Sequence, residues 1–255
     1  METLEKKLTV CAAEYYTGEE EFDRNIRLKL HHSLRVRDEA RRILYGEAVA
    51  EDAETILAAA LLHDCGRFEQ FKRFRTYSDA ESLDHGDLSA RIAEERFLKT
   101  YDDGTRAAIL GAIRCHNKLA VPDTLGGRAR FAAFVVRDAD KSDILPILIG
   151  HLRNPENPSI VFSLDRRAGV TPEIADALLA RRIPPHEDMK TALDFLAAKF
   201  NWVYDIHFAA THRLWLERGT LAEFRSLLPA SLLIDTLFAN ALDYQRQSAK
   251  GVQSA

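Results

Sequence analysis

Apolar residues recur at three- and four-residue steps along most of the chain, a spacing that predicts helices. Residues 20 to 47 carry Phe22, Ile26, Leu30, Leu34, Val36, Ile43 and Leu44 in this register, which predicts one long amphipathic helix. Residues 51 to 64 include Ile56-Leu57-Ala58-Ala59-Ala60-Leu61-Leu62 and are apolar nearly all round, so this helix belongs in the middle of a core. Gly66 is expected to stop it. Phe68 to Arg75 mixes aromatic and basic residues, as a short packed helix with a charged edge does, or a flap that brings cations to an anionic substrate. Ser78 to Asp84 is a polar loop that delivers His85 to the entrance of a helix over Asp87 to Leu98. A helix from about Gly104 to His116 is expected to end at Asn117. After a loop with Pro122 and Gly126-Gly127, residues 129 to 150 form an apolar helix interrupted by Asp138, Asp140, Lys141 and Asp143. Carboxylates in a buried helix are costly unless a cation or charged partner faces them.

The pattern changes after Asn154-Pro155-Glu156-Asn157-Pro158. Ser159 to Leu164 reads as a short strand or extended connection. Thr171-Pro172-Glu173 starts a helix, with Thr as cap and Pro in the first turn. Three or four more helices follow, and Arg246 to Ala255 is expected to fray. The prediction is an all-α fold in three parts: an N-terminal helical segment (1–24), a helical domain (25–150) and a helical extension packed on it (151–255), with no flexible linker between them.

Composition narrows the class. The chain has 255 residues, 46% hydrophobic and 29% charged, enough to bury a sizeable core. A net charge of -4 leaves no basic footprint for a large nucleic acid, so none is expected as partner. No apolar run approaches the length needed to cross a bilayer, and the N-terminus lacks a signal segment. Cys11, Cys65 and Cys115 are odd in number and form no Cys-x-x-Cys, so they read as free thiols in a reducing, cytoplasmic setting. Cys65 and Cys115 each adjoin a candidate ligand, and read as small buried side chains there.

The candidate chemistry centres on Leu61-Leu62-His63-Asp64-Cys65-Gly66-Arg67. A vicinal His-Asp pair closing an apolar helix offers a divalent cation both nitrogen and carboxylate oxygen. The helix end adds partial negative charge. Further donors stand at His32, His85, His116 and Asp140. His207 and His212 lie outside this set and read as packing or surface residues.

His32, then His63-Asp64, then Asp140 resembles the ligand order of the HD-domain metal-dependent phosphohydrolases, over roughly residues 25 to 150. His85, with Ser89-Ala90 four and five positions on, and His116 resemble the additional histidines of two-metal members. The resemblance implies an HD helical bundle holding one or two divalent ions, with Mn, Fe, Mg, Co, Ni and Zn all open. His32, His63, Asp64, His85, His116 and Asp140 would be the ligands. It also implies that Asp64 orients the nucleophile while ligating. The chain lacks the Gly-Tyr-Pro motif and the His-His-Glu element of the cyclic-dinucleotide phosphodiesterases, reading Cys115-His116-Asn117-Lys118 instead, which argues against such a substrate. A small phosphate ester, such as a nucleotide or related metabolite, is the expected substrate. Arg67, Arg35 and Lys141 lead the candidates for stabilising phosphoryl charge, with Lys118 and Arg73 behind them. In the residue roles this gives Asp64, Arg67 and Lys141 to catalysis and Arg35, Arg73 and Lys118 to substrate binding. Some HD-fold proteins with six such ligands are di-iron oxygenases acting on small acidic substrates, and a non-catalytic ligand sensor is a third reading. Of Asp138 and Asp140, about 200° apart on a helix, periodicity favours neither; the family register points to Asp140, the Asp before a basic residue.

Overall fold

The computed structural model describes residues 2–154 and 168–251. Among these residues there are helices and no strand. The chain divides into two compact units, Met1–Asp143 and Ile144–Ala255. Ser159 to Leu164 and Val252 to Ala255 lie outside the described residues.

The first unit contains α1 (Glu2–Ala13), α2 (Glu20–Gly46), α3 (Ala53–Leu62), α4 (Arg67–Phe74), α5 (His85–Arg96), α6 (Asp103–Cys115) and the first part of α7 (Gly127–Arg153). Every residue of α3 from Thr55 to Leu62 is buried, as an all-round apolar helix must be. Helices α1, α2 and α6 pack against it, α5 packs on α6, and α4 packs on α2 and α5. Along α2, Phe22, Ile26, Leu30, Val36, Ala40 and Ile43 are buried, and His32, Ser33 and Glu39 are carried inward on the same side. Asp84 and Asp102 cap α5 and α6 by accepting the backbone N–H of Asp87 (3.0 Å) and Thr105 (2.9 Å).

Gly66 does not act as a left-handed helix stop. Helix α3 ends at Leu62, and Gly66 has right-handed backbone angles (φ -72°, ψ -19°) that lead directly into α4. The reason for glycine is proximity: a Cβ there would lie 2.6 Å from the Ser89 backbone nitrogen and 2.8 Å from its Oγ. Ser89 Oγ accepts the Gly66 N–H at 3.0 Å, so the His63-Asp64 turn is pressed onto α5. The segment from Arg67 is a packed helix, with Phe68 and Phe71 buried.

The second unit takes the rest of α7, then α8 (Pro172–Leu179), α9 (Ala192–Ala197), α10 (Ala209–Glu217), α11 (Thr220–Ser226) and α12 (Leu232–Ser248), with 3₁₀ turns at His186–Asp188 and Ala198–Asp205. Helix α12 packs on α8, α10, α11 and the Ala198–Asp205 turn around a core that includes Phe200, Trp215 and Phe224. Helix α8 starts at Pro172 as expected, but the Thr171 side chain does not cap it. Instead Asp194 accepts the backbone N–H of Thr171 (2.7 Å), Lys190 (3.0 Å) and Thr191 (3.0 Å), while Thr191 Oγ1 accepts the Asp194 N–H (2.9 Å). One buried carboxylate thus ties the start of α8 to a capping box on α9. The fraying expected from Arg246 does not begin there, because Ile234, Leu237, Ala241 and Gln245 form a buried face that carries α12 to Ser248.

Candidate metal centre

Six side chains from three helix ends and two helix interiors converge in the first unit. His32 projects from the middle of α2, His63 and Asp64 follow the end of α3, His85 opens α5, His116 follows the end of α6, and Asp140 lies in α7. Their ligand atoms form three overlapping groups, each with all atoms within 4.8 Å: His32, His63 and Asp64; His63, His116 and Asp140; Asp64, His85 and His116. The imidazoles make a row, with ring centres 5.1 Å apart for His32 and His63, 4.9 Å for His63 and His116, and 4.9 Å for His116 and His85.

The carboxylate Asp64 divides the row in two. Its Oδ2 faces His32 Nε2 (3.5 Å) and His63 Nε2 (3.7 Å), while its Oδ1 faces His85 Nε2 (3.5 Å) and His116 Nε2 (3.6 Å). Asp140 Oδ1 adds to the first half, 3.1 Å from His32 Nε2 and 3.6 Å from His63 Nε2. Asp138 is fully buried and belongs to none of the three groups.

Hydrogen bonds at the other ring nitrogen fix which atoms face inward. His63 Nδ1 lies 2.8 Å from the Ala60 carbonyl and His116 Nδ1 lies 2.7 Å from that of Ile113. A carbonyl only accepts, so both Nδ1 atoms carry the proton and both Nε2 lone pairs point into the cluster. His32 Nδ1 and His85 Nδ1 are held by the carboxylates of Asp143 (2.7 Å) and Asp79 (2.6 Å). The inward nitrogens nevertheless approach each other closely, 3.2 Å between His63 and His32 and 3.0 Å between His85 and His116. Asp64 Oδ1 and Asp140 Oδ1 are buried with no hydrogen-bond partner. Converging lone pairs and orphaned carboxylate oxygens cost free energy until a cation sits among them, so the residues present fit one or two divalent ions.

The protonation states suit that use. Burial works against ionisation of Asp64, but Lys29, His63 and Arg67 outweigh it and hold its pKa well below the usual carboxylate range. Asp140 is likewise held low by His32 and His63 against its burial. Burial, with Arg67 beside it, pushes His85 down to about 3, and burial also lowers His63, so both are neutral donors at neutral pH.

Residues 30–149 match the family model of the HD domain. That segment is an HD domain. No curated protein and no solved structure matches the chain. No helix among the described residues is long and apolar enough to cross a membrane.

Around the HD centre the predicted cations take varied positions. Arg67 reaches the cluster, with Nε 3.4 Å from Asp64 Oδ1 and Nη2 3.2 Å from His85 Nε2. Its Nη1 donates to Gln70 Oε1, the Tyr77 carbonyl and Asp79 Oδ1. Arg35 acts at one remove, its guanidinium paired with Asp143 at 2.7 and 3.0 Å. Lys118 is engaged by Asp84 and by Asp87 (3.6 Å), and Arg73 lies exposed over the Phe74 ring; neither contacts the six side chains. Lys141 is buried one position after Asp140.

Four neighbours of the HD centre are not among the site residues expected from the sequence, although Asp143 is one of the α7 carboxylates expected to face a charged partner. Asp143 and Asp79 orient His32 and His85; Asn117 Nδ2 donates to Asp79 Oδ2 (3.2 Å) and Asp84 Oδ1 (3.1 Å); Lys29 Nζ pairs with Asp64 Oδ2 at 2.9 Å. Two of these carry a helical signal: Asp143 stands three residues after Asp140 on α7, and Lys29 three before His32 on α2. Asp79 comes from a loop with no period to reveal it. Cys65 and Cys115 are buried free thiols, and burial raises the pKa of both. Cys65 Sγ donates to the Ser89 carbonyl, which turns it away from ligation.

Proposed function

We propose that this HD-domain protein is a metal-dependent phosphohydrolase acting on a small phosphate ester such as a nucleotide or related metabolite. The reading rests on one observation: Asp64 presents its two oxygens to two different pairs of histidines, the arrangement of a carboxylate shared between two cations. Bound divalent ions would supply Lewis acidity towards a phosphoryl oxygen and lower the pKa of water towards neutrality.

The chain's own residues do the rest. His32, His63, Asp64 and Asp140 would hold one divalent ion and His85, His116 and Asp64 a second. Asp143 and Asp79 keep His32 and His85 oriented, and the ionised Asp64 accepts hydrogen bonds that align a nucleophile. Arg67, already within the cluster, places positive charge where phosphoryl oxygens gain negative charge. Turnover of a panel of nucleotides, phosphomonoesters and cyclic phosphodiesters, each with Mn, Mg, Co, Ni or Fe, tests the proposal through phosphate or alcohol release. Silence across the panel, with oxygen consumption and the paramagnetic signal of a mixed-valent iron pair, would replace it with the oxygenase reading.

A further inference from the structure

Two cations grip Asp64, one at each oxygen, and they differ in what else binds them. Arg67 is committed: its remaining nitrogens are taken by Gln70, Asp79, the Tyr77 carbonyl and His85. Lys29 is not. Its ammonium carries three N–H donors, and among the described residues only Asp64 accepts one; the other contact is the Tyr77 ring, 5.1 Å from Nζ. The Lys29 side chain is 14% exposed, so the head group is screened from bulk water without being sealed off.

The surroundings hold this cation beside Asp64 Oδ2. Tyr77 is itself fixed, its hydroxyl donating to the Asn25 carbonyl at 2.8 Å and its ring stacked on Phe71 with centres 4.8 Å apart. Arg67 lies against the same ring at 5.6 Å, so the ring is flanked by the two cations of the two halves. A divalent ion on Asp64 Oδ2 would neutralise the charge that now holds Lys29, and would repel its ammonium. A lysine on a flexible four-carbon stem can then turn to a nearby anion, whereas the clamped Arg67 fork cannot.

We propose that Lys29 is a substrate-binding residue of this site: it pairs with Asp64 in the metal-free protein and transfers to a phosphoryl oxygen once metal is bound. The inference rests on the phosphohydrolase reading and adds to it a specific anion-binding residue and an exchange of partners.

The test uses the full chain, Lys29→Met and Lys29→Arg, with Mn and inorganic phosphate as probes followed by titration calorimetry. Lys29→Met should bind Mn more tightly in the absence of phosphate, because a positive charge has left the side of Asp64. The Mn-loaded Lys29→Met protein should bind phosphate about tenfold to a hundredfold more weakly than wild type, the worth of one hydrogen bond to a charged group, and Lys29→Arg should recover most of that loss. Circular dichroism checks that the variants fold, and Lys29→Gln, which also removes the charge while keeping a polar stem, carries the comparison if Lys29→Met does not: its Mn-loaded form should likewise bind phosphate about tenfold or more weakly than wild type. Equal phosphate affinity in wild type and Lys29→Met, or no phosphate binding to Mn-loaded wild type, overturns the proposal. Phosphate binding that depends on Lys29 in a protein that hydrolyses no phosphate ester would keep the anion site and remove the phosphohydrolase reading.

Discussion

The two units bury polar groups in opposite ways. In the first, His32, His63, Asp64, His85, His116 and Asp140 all turn their reactive atoms towards one another, leaving two carboxylate oxygens without partners. In the second, Asp194 and Asn201 are buried to finish backbone: Asp194 accepts three N–H groups, and Asn201 donates to the carbonyls of Leu178 (2.9 Å) and Arg182 (3.0 Å). A polar residue satisfied by main chain stabilises its fold; one left unsatisfied beside others of its kind costs stability and marks chemistry. A buried cation of the second unit, Lys199, sits between the rings of Phe195 (3.6 Å from Nζ) and Trp202 (4.4 Å), with no carboxylate among the described residues bonded to it.

The largest test of this contrast is Asp64→Ala. Metal-dependent turnover should fall about a thousandfold or more, while the fold survives with a lowered thermal midpoint, because Lys29 and Arg67 lose the carboxylate they pair with. A collapse of the fold in Asp64→Ala would mean that the carboxylate is structural. Asp194→Ala should do the reverse. It strands three backbone N–H groups and a capping box, costing about 3 kcal/mol in urea unfolding with metal affinity untouched. Asp143→Asn falls between the two: His32 loses its carboxylate partner, and metal affinity measured by competition with a chelator should drop about tenfold.

The smallest effect belongs to Lys199. Burial pushes its pKa down to about 7, against about 10.4 in the unfolded chain. Below pH 7 both states are protonated and the fold bears the full cost of a buried ammonium. Between pH 7 and about 10.4 the unfolded chain binds the extra proton, so stability rises with pH across that window. The aromatic rings offset part of the cost. Lys199→Met should therefore stabilise the protein by about 1–2 kcal/mol at pH 6 and by little at pH 10. Equal gains at both pH values would show that the amine is not what the core resists.

Legibility in the sequence followed the same divide. Helices α2, α3, α5, α6 and α7 were readable because each buries one periodic face or is apolar throughout. The six clustered side chains were readable because helix ends and family order announce them. What supports them was not. Asp79 comes from a loop, the contact of Gly66 with Ser89 is a matter of distance between chain segments, and the competence of Arg67 depends on Tyr77, Asp79 and His85, which lie beyond its own helix. Sequence ranked Arg35 and Arg67 alike as cations near ligands; only the fold shows one spent on Asp143 and the other at Asp64.

Arg35 and Arg67 nonetheless share an arrangement that gives the centre an internal duplication. Arg35 grips Asp143, which grips His32; Arg67 grips Asp79, which grips His85. Each half of the row then pairs one imidazole made electron-rich by an anion with one backed by a neutral peptide group, His63 or His116. The backing of the ring nitrogens is matched in kind, and Asp64 is common property. Asp140 adds a carboxylate to one half only. Under scarce metal the half containing Asp140 should fill first, and the vacancy of its twin would set how much of the protein is ready to work.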